Sequence, residues 1–356
     1  RLPSGVKLYA VSTAVRPELA GYPPSAWLRE AGWLGTREDA LAALVAAHAH
    51  PGLDVADKQE GYDFVKLTLF LTPAVWEAII DEAKRENIPV IGHVEPEVGV
   101  IRAAAAGQQL EHLDAVLEAA LADSAPMRAS LTQFRVFQMR NWPSLDVIDT
   151  RKVDQLAGAV ARSGVYVGPT QNVFNTAFGT GEPLDTIRAR ADFAHWPPRL
   201  REGYLRAHAR YWDAANDTIK TPARRAKYVA IRNRFVKALQ DSGGRLLAGS
   251  DTPEWFHLYG YGLHRELRAL VLAGLTPYEA LVTATRRPSE YLGASAHWGT
   301  IEPGKRADFV LVSANPLRDI ANTTRIRGVA VGGRWLDRTN LDRMIARGAR
   351  ATSGGH

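Results

Sequence analysis

The sequence predicts an α/β barrel of parallel strands, its first strands missing from the chain, followed by a small β unit. Three observations carry this. Apolar runs and amphipathic helical segments alternate strictly between residues 64 and 121, which calls for parallel strands joined by right-handed crossovers. Four of the apolar runs carry or end in a Lys, a His, a second His and an Asp, the way barrel strands deliver reactive groups to a C-terminal rim. After residue 298 the pattern changes to strand-like alternation around turn residues, with no long helices between.

The elements follow in order. Residues 6 to 15 read as the first strand present, and residues 21 to 35, rich in Pro, Gly and Trp, as a loop over the rim. Thr36 can cap a helix through His48, with Leu41, Leu44 and Val45 on one face and Pro51-Gly52 at its end. That helix holds His48-Ala49-His50. On a strand the two rings would share a face, but on a helix the second turns roughly 200° away, so the pair is not expected to share an ion.

A strand over 64 to 69 carries Lys66. Thr72-Pro73 then opens a helix with Val75, Trp76, Ile79, Ile80 and Ala83 as its buried stripe and Asn87 near its end. A strand over 89 to 94 carries His93, and a small-residue helix through Ala103 to Ala106 closes at Gly107. A third strand over 108 to 113 carries His112 and leads into Val116 to Leu121.

Past a looser region around Asn141-Trp142-Pro143, a helix near Val153 to Ser163 feeds a strand over 164 to 171 that ends in polar groups. Residues from about 172 to 244 form a connection too long to be structureless inside a compact domain, and are read as a helical insertion partly roofing the site. The strand over 245 to 251 stops at Asp251. The helix beyond it is signalled by Thr276 as cap, Pro277 at the first position, Glu279 completing a capping box and Gly293 past the end. Residues 1 to 297 are thus assigned to the barrel, 298 to 340 to the small β unit, and the polar, Gly-rich 341 to 356 to a loose tail. Six core strands are counted where a closed barrel has eight, so two are expected upstream of Arg1.

Composition narrows the function. With 356 residues, 46% of them hydrophobic, the chain can bury a sizeable core. No run approaches the ~18 apolar residues of a membrane span, and no signal peptide is visible. The net charge is +6, but basic and acidic residues are interspersed, whereas nucleic-acid binding needs a focused patch. Cysteine is absent, which removes disulfides and thiolate chemistry and leaves the compartment open between cytoplasm and export.

Two neutral imidazoles and a carboxylate are ordinary ligands for zinc or a similar divalent ion, and an open site acidifies bound water. Asp251 can bind metal and also take the proton from that water. Lys66 joins such a cluster only if neutral or chemically altered, because an ammonium has no lone pair. A carbamate formed with carbon dioxide would offer two oxygens; an ion pair across the barrel is the alternative. One histidine on an apolar strand is ordinarily a satisfied core imidazole, but two on neighbouring strands, with Lys before and Asp after, favour ligands.

Lys66 in DFVKL, His93 in VIGHV, His112 in LEHLD and Asp251 in AGSDT, followed by GLTPYEALVTATRRPSEYLG and GTIEPGKRADFVLVSANPL, resemble the amidohydrolase superfamily, in its imidazolonepropionase-like and Xaa-Pro or Xaa-Arg dipeptidase-like branch. The resemblance covers nearly the whole chain. It implies a (β/α)8 TIM barrel with a small composite β-sandwich, and a metal-dependent, oligomeric hydrolase of small amide or dipeptide substrates. It implies two zinc ions per complete site, Lys66 as the carboxylated bridging lysine, His93 and His112 as ligands of the second metal, and Asp251 as ligand of the first metal and proton shuttle. The first-strand His-x-His of such proteins has no counterpart here, and is expected from an upstream segment or a companion chain. Substrate contacts are expected from the rims, with Tyr166 and Gln171 after one strand and His257, beside Glu254 and Trp255, after the Asp251 strand. A cyclic amide hydrolase or deaminase, and a metal-free barrel scaffold, are the competing readings.

Overall fold

The computed structural model describes residues 8–11, 64–67, 71–125, 142–179, 183–190, 192–196, 201–203, 205–206, 218–252, 257–258 and 260–353. The expected rim loop at 21–35, the helix with His48 and His50, and Glu254 and Trp255 lie outside them. The chain divides into two compact units, Arg1–Val136 with Val147–Val167 and Ser242–Gly244, and Phe137–Asp146 with Gly168–Asp241 and Arg245–His356.

In the first unit the strands are β1 (Leu8–Val11) and β2 (Phe64–Leu67), then after helix α1 (Pro73–Glu86), β3 (Val90–Gly92). Helix α2 (Val100–Ala105) leads to β4 (Gln109–Glu111), and α3 (Val116–Ala119) and α4 (Thr150–Ser163) lead to β5 (Tyr166–Gly168), whose last residue opens the second unit. The strands lie side by side in chain order. The pairings of β1 with β2, β2 with β3 and β3 with β4 are parallel, with Lys66 opposite Ile91 and Gly92 opposite Leu110. The strands are shorter than expected, so that His93 and His112 stand one residue past β3 and β4.

Local chemistry accounts for the helices. The Thr72 hydroxyl accepts the Val75 N–H at 3.4 Å, Pro73 fills the first position, and Asn87 ends α1 in the left-handed region at φ +54°. Between them Val75, Trp76, Ile79, Ile80 and Ala83 are all buried, and each large apolar side chain so buried contributes about 1.5–3 kcal/mol. In α4, Asp149 caps the Arg151 N–H at 2.9 Å, Val153, Ala157 and Val160 face inward, and Gly164 at φ +75° ends the helix. Gly92 is required for a different reason: a Cβ there would stand 2.2 Å from the Leu67 carbonyl oxygen, with the backbone at φ +123°.

The second unit begins with α5 (Gln171–Phe174) and α6 (Leu184–Arg188), followed by α7 (Pro222–Asp241), which buries Tyr228, Ile231, Phe235, Val236 and Leu239. Strand β6 (Arg245–Leu246) is followed by α8 (Tyr261–Leu272). The expected helix after Thr276 is two: α9 (Pro277–Thr283), with both hydrogen bonds of the Thr276/Glu279 capping box, and α10 (Arg286–Tyr291). Pro288 explains the break. It has no N–H to continue a helix, and a new start at Arg286 places it in a first turn, where no intrahelical donor is needed.

The C-terminal strands β7 (Phe309–Val312), β8 (Ile326–Val331) and β9 (Arg334–Asp337) form an antiparallel three-stranded sheet. Gly332 and Gly333, at φ +56° and +80°, make the tight turn between β8 and β9. The segment expected as a loose tail is helix α11 (Arg338–Ser353). The Asp337 carboxylate accepts the Asn340 N–H at 2.8 Å, and Arg338 pairs with Asp342 at 2.6 Å one turn on, so capping and side-chain pairing outweigh polarity. Among the described residues no helix is long and apolar enough to cross a membrane.

Candidate active site

Lys66 is the third residue of β2 and is half-buried. It pairs with Ile91, two residues before His93, so by strand alternation Lys66 and His93 address the same face. His93 is held through its backbone. Its N–H donates to the Leu67 carbonyl at 3.0 Å, and its carbonyl accepts from Gln108 Nε2 at 2.9 Å. Gln108 is fully buried, and its Oε1 accepts the Trp76 indole N–H at 2.7 Å, so α1 braces the end of β3.

Alternation alone would put His112 on the face of Leu110, which pairs with Gly92 and not with Ile91. The backbone overrides this. His112, Leu113 and Ala115 have φ of +62°, +59° and +60°, a region that costs an L-residue about 1–2 kcal/mol. This left-handed turn brings the buried His112 ring to 4.5 Å from that of His93, centroid to centroid, at 37°. Asp114, within the same turn and also buried, lies with Oδ2 2.5 Å from His93 Nδ1. With Nδ1–H donating to the carboxylate, the tautomer assigned from that partner leaves the Nε2 lone pair free. Asp114 and Gln108 were not singled out from the sequence. The available signal was a carboxylate two positions past a candidate ligand, the residue type that orients metal-binding imidazoles.

Asp251 belongs to the second unit. It stands five residues past β6, exposed, with left-handed backbone at φ +46°. The start of α8 packs closely on this segment, where a Cβ on Gly262 would meet Thr252 Cγ2 at 2.5 Å and Ser250 Cβ at 3.0 Å. Among the described residues no group of three or more His, Asp or Glu side chains could hold a metal ion by itself.

The three expected substrate contacts are interior. Tyr166 is buried within β5, and its N–H donates to Gln109 Oε1 at 2.5 Å. Gln171 and His257 are completely buried. Gln171 Nε2 donates to Asn233 Oδ1 at 2.6 Å, and the Asn172 side-chain amide meets His257 Nε2. Beneath them lies Glu266, a residue the sequence reading passed over. Burial pushes its carboxyl up to about 7, against the pull of the Asn172 and Gln171 N–H groups and of Arg232.

A family model for the amidohydrolase family matches residues 36–336. Among solved structures, the bottromycin amidohydrolase superposes with a TM-score of 0.64 at 24% identity, over 98% of this chain and 67% of that one. A Xaa-Pro dipeptidase with methionine bound in its active site gives 0.53 at 17% identity, over 93% and 66%. Adenine deaminase 3 of Rhizobium meliloti (strain 1021) is 25% identical over 183 residues, 49% of this chain but 28% of that protein. The likeness to the two solved structures carries the fold, a TIM barrel whose parallel strands are those described above. With the family match spanning most of its length, this chain belongs to the amidohydrolase family.

Proposed function

We propose that the chain forms the barrel of a hydrolase that uses water to cleave an amide or peptide C–N bond in a small N-acyl amino acid or dipeptide-like substrate. The observation that carries this reading is the pair of adjacent imidazoles, His93 and His112, at successive strand ends, one of them with its Nδ1 held by a buried carboxylate. Proteins of this family generally bind divalent metals, and the pair fits such an ion: two neutral rings, with the His93 Nε2 lone pair free. A complete ligand set needs more, since no third His, Asp or Glu joins them among the described residues. Lys66 as its carbamate and Asp251 are our candidates on this chain, and an upstream segment or companion chain supplies the remainder.

A bound divalent ion acidifies water and polarises a carbonyl. The chain's own residues do the rest. Asp114 fixes the orientation of His93. Asp251 takes the proton from the attacking water and returns it to the leaving nitrogen. Tyr166, Gln171 and His257 anchor the substrate-side wall. The adenine deaminase likeness favours a second reading, hydrolytic loss of ammonia from a cyclic amidine, in which the same residues act on a different C–N bond.

The test is metal analysis of the purified protein with hydrolysis of N-acyl amino acids and dipeptides before and after chelation. We expect up to two zinc ions per complete assembly and activity that falls on chelation and returns with zinc. Ammonia without amino acid release moves the assignment to deamination, and zero metal with no turnover leaves a non-catalytic scaffold. For Lys66→Ala, recovery of activity with short carboxylic acids supports the carbamate, and full activity without them removes it.

A further inference from the structure

The turn leaving β5 is gripped from below by one acidic side chain. Glu266, fully buried on α8, accepts the Gln171 N–H through Oε1 at 2.9 Å and the Asn172 N–H through Oε2 at 2.7 Å, across more than ninety residues of sequence. These donors belong to the first turn of α5, which has no intrahelical acceptors for them. The turn is entered through Thr170 at φ +44°, a conformation that persists only when its surroundings hold it. Arg232 closes the other side, its Nη2 donating to the Pro169 carbonyl at 2.7 Å and its guanidinium carbon 4.7 Å from the centre of the Phe174 ring. The side chain of the second gripped residue, Asn172, reaches His257.

We propose that Glu266 is a positioning residue: by holding both N–H groups after Thr170 it fixes Asn172 against His257, and so sets the substrate-side wall of the hydrolytic site. This rests on the hydrolase reading above. A carboxylate suits the task because two neighbouring N–H groups reach two separate acceptor oxygens. Glutamine offers one acceptor and turns an NH2 toward the other N–H. Aspartate keeps both oxygens but draws them back by one methylene.

The experiment uses the metal-replete full chain and its Glu266→Gln, Glu266→Asp and Asn172→Ala variants, with 15N-histidine spectra, Tm and steady-state kinetics on the best dipeptide. The His257 signals are assigned by their loss in His257→Gln. We expect them to move in Glu266→Gln while those of His93 and His112 stay, and kcat/KM per folded protein to fall roughly 10-fold or more, chiefly through KM, with part of it restored in Glu266→Asp. Asn172→Ala, which keeps the backbone grip and removes only the link, should reproduce the kinetic loss without the loss of Tm, and it decides the matter if Glu266→Gln does not fold. A lower Tm in Glu266→Gln with unmoved His257 signals and unchanged kcat/KM makes Glu266 a packing residue and overturns the proposal, as does wild-type kinetics in Asn172→Ala. If the unaltered protein hydrolyses no C–N substrate, the hydrolase reading fails, and the spectra alone then decide: moved His257 signals uphold the positioning, unmoved ones overturn it.

Discussion

Two histidine-centred regions of this molecule are built on opposite plans. At the ends of β3 and β4, His93 and His112 stand ring beside ring, and His93, its side chain 20% exposed, is held by a single carboxylate that leaves one ring nitrogen uncommitted. In the second unit His257 is wholly enclosed, its Nε2 taken by Asn172, whose backbone is in turn held by Glu266. A donor atom left open is what a ligand needs. A polar cluster satisfied from within is what a frame needs, because buried groups without partners are costly. The contrast assigns chemistry to the first region and shape to the second.

The largest effect tests the first plan. His93→Ala or His112→Ala should abolish turnover and remove the ion they share, read by metal analysis after dialysis, while leaving the far-ultraviolet circular dichroism intact. Retained metal and activity would erase the contrast. Next comes the frame. With its carboxyl raised from the ordinary 4.5 to about 7 by burial, Glu266 holds its proton more tightly folded than unfolded. Stability contributed in this way is present below pH 4.5 and lost as pH rises through 7, by about 3 kcal/mol. Chemical denaturation at pH 5 and pH 8 should show that decline in the unaltered protein and a flatter profile in Glu266→Gln. A third effect is intermediate. Asp114→Asn should lower metal affinity roughly 10- to 100-fold with little change in folding, as measured by competition with a chelating dye. The smallest is a control touching neither region: Thr276→Ala removes the cap of α9 and should cost about 1 kcal/mol with kcat/KM unchanged.

What could be read in the sequence, and what could not, follows the same divide. The strands with Lys66, His93 and His112 were visible because apolar runs of strand length alternate with helices, one of them marked by a Thr-Pro start. The meeting of the two imidazoles was hidden, since strand alternation puts His112 on the other face and only the left-handed turn at 112–115 undoes it. Glu266 was hidden more deeply. In HRELRALVL it reads as one more charged residue on a helix, and its role depends on a backbone turn about ninety residues away. The break between α9 and α10 was legible in Pro288, but the strength of the capping signals at Thr276 masked it.

Gly92 sets a limit on how this protein can be re-engineered. Where its side chain would begin, the carbonyl of the neighbouring strand already stands, so the gauge between the lysine-bearing and histidine-bearing strands is fixed by a hydrogen atom. Libraries aimed at new substrates can vary the loops freely, but even one added methyl at this position would spread the two strands and pull Lys66 away from His93 before any contact with a substrate had changed.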